Sequence, residues 1–161
     1  MKMKTRFLND SDTKFVSDFC DACKQLGYYN NSSLENMKWY WKDVKWVGTF
    51  KDGKIISLSG IHSFLEMGEN AFRIMFRGAS LPGYSSTFLN FEQVPLKIQY
   101  ALLLCEKPTF YVTFNTSKNT GAKSYRMSKA ISRRNDFSFV KHMNYFNTMQ
   151  EIWKYENNDI H

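Results

Sequence analysis

The sequence predicts an α/β (α+β) fold built on a mixed, mostly antiparallel sheet. The expected element order is β-α-α-β-β-β-α-β-α-β-β. Three features carry that expectation. Asp52-Gly53 separates the apolar runs Trp46–Phe50 and Lys54–Phe64, and Asp-Gly is a strong signal for a two-residue hairpin turn. The apolar strand Phe72–Gly78 is followed by a helix with Pro95 in its first turn, then by the short aromatic run Thr109–Phe114. A strand, a crossover helix and a strand make parallel neighbours. Two further strands, Phe137–Val140 and Tyr145–Trp153, close the sheet.

The remaining elements follow in order. Lys4–Leu8 is a short strand, and Asn9-Asp10-Ser11 offers capping residues to the helix after it. Phe15, Val16, Phe19, Ala22, Cys23 and Leu26 share one face of that helix, and Gly27 stops it. Ser32 and Glu35 match a capping box, so a second short helix runs through Met37 to Trp41. Its Trp39, Tyr40 and Trp41 are core or line a cleft. Leu65–Asn70 is a polar turn, which makes the middle of the chain a three-strand antiparallel meander. In the helix after Asn90, the expected buried stripe is Val94, Ile98, Ala101, Leu102 and Cys105, with Lys107-Pro108 ending it. A basic helix from about Lys118 to Arg134 precedes the last strand pair, and Asn135-Asp136 breaks it.

A chain of 161 residues is expected to form one domain, residues 1–161, with a single core. Aromatic residues make up 17%, enough for that core and for an aromatic-lined cleft. The net charge of +7 favours phosphate-bearing or polyanionic partners, or reflects lysines that solvate the surface. Cys20 and Cys23 form C-x-x-C on a helix, but no second pair or His cluster completes a metal site, so no metal is expected. Without a signal peptide or a run of about 18 apolar residues, a cytoplasmic protein with no membrane partner is expected. The Lys-, Asn- and aromatic-rich composition is that of an AT-rich genome, such as a phage.

The element order, from the Arg-bearing strand Phe72–Gly78 through the helix, the strand ending at Asn115, the basic helix and the final strands, resembles the GNAT acyltransferase fold across nearly the whole chain. The resemblance implies acyl transfer from an acyl-CoA donor, acetyl-CoA above all, to an amine on a small molecule or a macromolecule. GNAT enzymes usually hold the coenzyme's pyrophosphate on a Q/R-x-x-G-x-G/A loop, through backbone N–H groups and a helix N-terminus. The equivalent stretch here, Leu81-Pro82-Gly83-Tyr84-Ser85-Ser86-Thr87-Phe88-Leu89-Asn90, lacks that motif. The cofactor-binding residues that the resemblance implies are Arg77, Gly78, Gly83, Ser85, Ser86 and Asn115. The family often has a Tyr on the next helix that protonates the departing thiolate, in the register N-x-x-A-x-x-L-Y. Asn119 and Ala122 fit, but Tyr125 falls one residue early and Arg126 holds the usual place. That slip turns the hydroxyl by about 100°.

The general-base candidates are His62, Glu66 and Glu69, since an acceptor amine must lose a proton. Glu66 and Glu69 flank Gly68 in a turn, where solvation is the competing reading. His62 shares a strand face with Ile56, Leu58 and Phe64, as a hydrogen-bonded core histidine also would. Arg73 and Arg77 alternate on an apolar strand. They either pair with Glu66, Glu69 or Glu92, or present an anion site. Arg126, Lys129 and Arg133 lie at i, i+3 and i+7 on the basic helix. That stripe is a solvated face, a contact for coenzyme A phosphate, or a track for a nucleic-acid backbone. Two alternatives to the acyltransferase therefore stand. One is a nucleic-acid-associated protein that binds or modifies bases. The other is a GNAT-fold interaction module without catalysis.

Overall fold

The structure is a computed structural model that describes residues 3–27, 43–84, 92–115, 130–134, 136–145 and 147–156. The strands are β1 (Lys4–Phe7), β2 (Lys45–Lys51), β3 (Lys54–Ser63), β4 (Ala71–Ser80), β5 (Thr109–Asn115), β6 (Phe137–Tyr145) and β7 (Thr148–Tyr155). The helices are α1 (Thr13–Gln25) and α2 (Val94–Leu104). The expected second helix through Met37–Trp41 lies outside the described residues, as does most of the basic helix. The seven strands form a sheet in the order β1-β2-β3-β4-β5-β7-β6. The β4–β5 ladder is parallel and pairs Ala71–Arg73 with Thr109–Tyr111. The β1–β2, β2–β3, β5–β7 and β6–β7 ladders are antiparallel.

Local chemistry explains these elements. Asp52 and Gly53 take φ of 54° and 73°, the left-handed pair that a tight hairpin turn requires. Asn9 caps a short 3-10 turn, Asp10–Asp12, that leads into α1, and the Asn9 side chain accepts from Ser11 N at 2.9 Å. Gly27 ends α1 with φ 73°. Pro95 stands in the first turn of α2, where a missing N–H is harmless.

The chain divides into two compact units, Met1–Ser63 with Ile74–Glu106, and Phe64–Arg73 with Lys107–His161. In the first, α1 turns Val16, Phe19, Cys20 and Cys23 onto Trp46, Ile55 and Leu58. Both cysteines are buried there as small apolar groups, as the helical pattern suggests. Gly60 of β3 is required by close packing, since a Cβ would overlap Val44 Cγ1 and approach the Trp46 ring at 3.1 Å. In the second, Phe64, Ala71, Tyr111, Tyr145 and Ile152 form the core.

Two expectations are corrected. Strand β6 runs on to Tyr145 rather than ending at Val140, and β7 is displaced to Thr148–Tyr155, with Asn147 at φ 61° between them. Lys141-His142-Met143-Asn144 reads as a loop because it is polar, but β6 is the end strand of the sheet, with Lys141, His142 and Asn144 exposed. The buried stripe of α2 is Val94, Lys97 and Ala101, and Leu102 is 43% exposed. A lysine takes the face assigned to aliphatic residues because polar partners meet it there.

Candidate functional site

In the first unit, β3 presents Ser57 and Ser59 on the side where α2 begins. Both are fully buried, as are Thr49, Gln93 and Lys97. Gln93 Nε2 donates to Thr49 Oγ1 at 3.1 Å and to the Ser57 carbonyl at 3.2 Å. Ser59 Oγ donates to Gln93 Oε1, and Ser80 Oγ donates to Ser57 Oγ at 2.8 Å. Lys97 Nζ donates to Ser59 Oγ and, at 2.6 Å, to the carbonyl of Ile74 on β4. Such a network is stable only when its members are satisfied. The described residues supply Lys97 with two acceptors, which match the two N–H groups of a neutral amine and fall short of the three of an ammonium. Burial independently pushes the Lys97 ammonium down to about 7.

A cleft of about 360 Å³ opens in the same unit. Its walls are Ala22, Gln25 and Leu26 of α1, Lys54 of β3, and Leu81, Pro82 and Tyr84 after β4. The Lys51 ammonium stands 5.2 Å from the centroid of the Tyr84 ring. Gly83, at φ 90°, has open space where a Cβ would be. The ammonium groups of Lys54 on the wall and of Lys51 over the Tyr84 ring are the cationic donors near this cleft, and they suit a phosphate-bearing ligand. His62, near the end of β3, is half-buried. Its Nδ1 lies 2.8 Å from the Ser63 carbonyl. A carbonyl only accepts, so Nδ1 carries the proton and Nε2 is the basic nitrogen of the neutral ring.

In the second unit, the Arg73 guanidinium sits 5.3 Å from the centroid of the Tyr145 ring. Tyr145 and Tyr111 in turn pack against Phe64. A cation over an aromatic face is one favourable contact for this charge on an apolar strand. Glu66 is exposed in the short turn Leu65–Met67, and Glu69 is exposed beside it. Asn115 is the last residue of β5, half-buried and opposite Gln150 of β7. Arg133 is exposed, just past the last described helical turn.

Gly78 is an exposed residue of β4, and the side chain of Arg77, in the same strand, lies outside the description. Ser85, Ser86, Tyr125, Arg126 and Lys129 lie outside the described residues. The structure therefore places His62, Gly78 and Gly83 in one unit and Glu66, Asn115 and Arg133 in the other. The residues that sequence reasoning missed are Lys97, Gln93 and Ser59, together with Lys54 of the cleft and Lys51 beside its Tyr84. A signal for Lys97 exists, because it is three residues after Val94 and four before Ala101 on one helix face.

No family model and no curated protein matches this chain. Solved structures match it over almost its full length. An acetyltransferase of the GNAT family from Desulfovibrio desulfuricans superposes with a TM-score of 0.67 at 10% identity, over 96% of this chain and 99% of that one. The ribosomal-protein-S5-alanine acetyltransferase of Vibrio fischeri gives 0.63 at 10% identity, over 99% and 95%. The PaiA N-acetyltransferase of Thermoplasma acidophilum, solved in complex with coenzyme A, gives 0.60 at 12%, over 96% and 100%. The chain has the GNAT fold in divergent form.

Proposed function

We propose that this GNAT-fold chain is an acyltransferase that moves an acyl group from an acyl-CoA donor, acetyl-CoA in the simplest case, to an amine acceptor. The observation that carries the proposal is the parallel β4–β5 ladder joined through the Pro-started helix α2. It stands within a fold that superposes on GNAT-family structures over nearly the whole chain. One such neighbour is solved with coenzyme A, and another is named for acetylating an alanine of a ribosomal protein. The cleft after β4 suits the phosphates of such a donor, with Lys54 on its wall and Lys51 against the ring of its Tyr84.

In the proposed reaction the amine nitrogen bonds to the thioester carbon, the carbon–sulfur bond breaks, and the thiolate leaves. The main chain of β4 orients the thioester, and main-chain N–H groups stabilise the oxyanion, usually the largest electrostatic contribution in acyl transfer. His62, with its basic Nε2, takes the amine proton, and Glu66 is the alternative base. Tyr125 or a water returns a proton to sulfur. Arg77, Gly78, Gly83, Ser85, Ser86 and Asn115 are the proposed contacts to the donor, and a single domain spanning residues 1–161 carries all of them.

The test is an assay of free thiol released from acetyl-CoA in the presence of spermidine, kanamycin or a peptide with an N-terminal alanine. Release that depends on one of these amines supports the proposal. Absence of amine-dependent release with all three would favour a GNAT-fold binding module instead.

A further inference from the structure

We propose that Lys97 is a positioning residue for acyl transfer, whose buried amine fixes the Ile74 carbonyl and with it the course of β4 beyond that residue. The inference rests on the acyltransferase reading, because β4 is the strand assigned to orient the thioester. Its own support is geometric. Ile74 directly follows Arg73, which makes the last pair of the β4–β5 ladder, with Tyr111. A side-chain amine from α2 serves the Ile74 carbonyl at 2.6 Å, a hydrogen bond that no regular ladder supplies. The amine is held in turn by Ser59, Ser59 by Gln93, and Gln93 by Thr49 of β2 and the Ser57 carbonyl of β3. Lys97 has no exposed surface, so the main chain of β4 is clamped to the start of α2 and to β3 through groups that water does not reach. A buried lysine is costly where an aliphatic residue would pack as well, and an aliphatic residue could supply neither the donor to Ser59 nor the one to the Ile74 carbonyl, of which only the second reaches the main chain of β4.

The experiment compares wild type with Lys97→Met, which keeps the stem and removes the donors, and with Ser59→Ala, which removes one anchor and spares the Ile74 contact. Hydrogen exchange of the amides from Met75 to Ser80 is read first. The expected result is exchange at least tenfold faster in Lys97→Met and within threefold of wild type in Ser59→Ala. Unchanged exchange in Lys97→Met overturns the proposal. Acetyl-CoA and free coenzyme A are then titrated calorimetrically, since only the former presents a carbonyl to β4. The wild type is expected to prefer acetyl-CoA, and Lys97→Met to lose that preference while its affinity for free coenzyme A stays within twofold. A lysine that only supports the fold leaves the ratio of the two affinities unchanged, and that result overturns the positioning role. If the wild type binds neither ligand, the acyltransferase reading and the catalytic side of the inference fall together, and hydrogen exchange still decides whether Lys97 sets β4. Should Lys97→Met not fold, the wild type labelled with 15N at Lys97 Nζ and 13C at the Ile74 carbonyl answers by itself. A scalar coupling across the hydrogen bond is expected, and its absence, with the Nζ resonance observed, overturns the contact.

Discussion

Lys97 Nζ donates to the Ile74 carbonyl at 2.6 Å, joining helix α2 to strand β4 without solvent exposure of the lysine. Among the described residues, the groups that meet the amine are a hydroxyl, a main-chain carbonyl and, through Ser59, a carboxamide, none of which titrates near neutral pH.

The first prediction concerns pH. Burial lowers the Lys97 pKa from 10.5 to about 7 in the folded chain. Between those values the unfolded chain holds a proton that the folded chain lacks, so stability from this group rises with pH across that window. The slope is at most about 1.4 kcal/mol per pH unit. In urea denaturation, wild type is expected to gain about 2 kcal/mol over Lys97→Met between pH 7 and 9. Parallel stability profiles for the two proteins would mean that Lys97 stays charged when folded.

A second prediction follows from Arg6 and Asp12. The guanidinium holds the carboxylate in a two-point contact at 2.8 and 2.7 Å, and the Asn9 amide adds a third bond at 2.9 Å. The hydrogen bond from Arg6, with help from the Asn9 amide, lowers the Asp12 pKa. Its stabilisation is therefore present above the unfolded carboxylate range and fades as pH falls through the lower, folded value. Asp12→Ala is expected to cost about 2 kcal/mol at neutral pH, and less under acid, because it strands the arginine and uncaps the entry to α1. Equal losses at pH 7 and pH 2 would contradict this.

Gly60→Ala tests the packing of β3. The added methyl meets Val44 and the Trp46 ring, both buried, so a loss of about 1–3 kcal/mol is expected in thermal or urea unfolding. Wild-type stability would show that β2 and β3 yield more easily than their burial suggests.

Much of the fold was legible in the residues. The Asp52-Gly53 turn, the Gly27 stop and the Pro95 start are local chemistry, and each stands where expected. The parallel β4–β5 neighbours followed from strand, helix and short strand. The extent of β6 was not legible, because an end strand with exposed Lys141, His142 and Asn144 has the composition of a loop. The site was less legible than the fold. Lys97 was not among the residues singled out, because a lysine in an amphipathic pattern normally marks the outer face, and its partners come from β3 and β4, far away in sequence. Lys51 and Lys54 were hidden for the same reason, since they flank a hairpin turn, and only in three dimensions does Lys51 stand over the Tyr84 ring and Lys54 share a cleft with it.

The basic stripe supplies a fourth prediction. The acyltransferase reading has no need of nucleic acid, so wild type is expected to give no gel shift with DNA or RNA at low salt. Replacing Arg126, Lys129 and Arg133 with Ala should then leave the fold intact, with small stability changes. A wild-type shift that the triple variant weakens equally across sequences, with the salt slope falling by about 0.9 per lost phosphate contact, would support the nucleic-acid alternative.

The most direct test of the central claim is calorimetric titration of the whole chain with acetyl-CoA. Saturable one-to-one binding is expected. It should be weaker than in GNAT enzymes that carry the glycine loop, because Leu81–Asn90 carries a single glycine where close main-chain approach to phosphate usually needs more. A Kd on the order of 0.1 mM, high within the usual range of enzyme KM values, is the expected result. No saturable heat up to millimolar ligand would contradict acyl-CoA as the donor and leave the chain a GNAT fold put to another use.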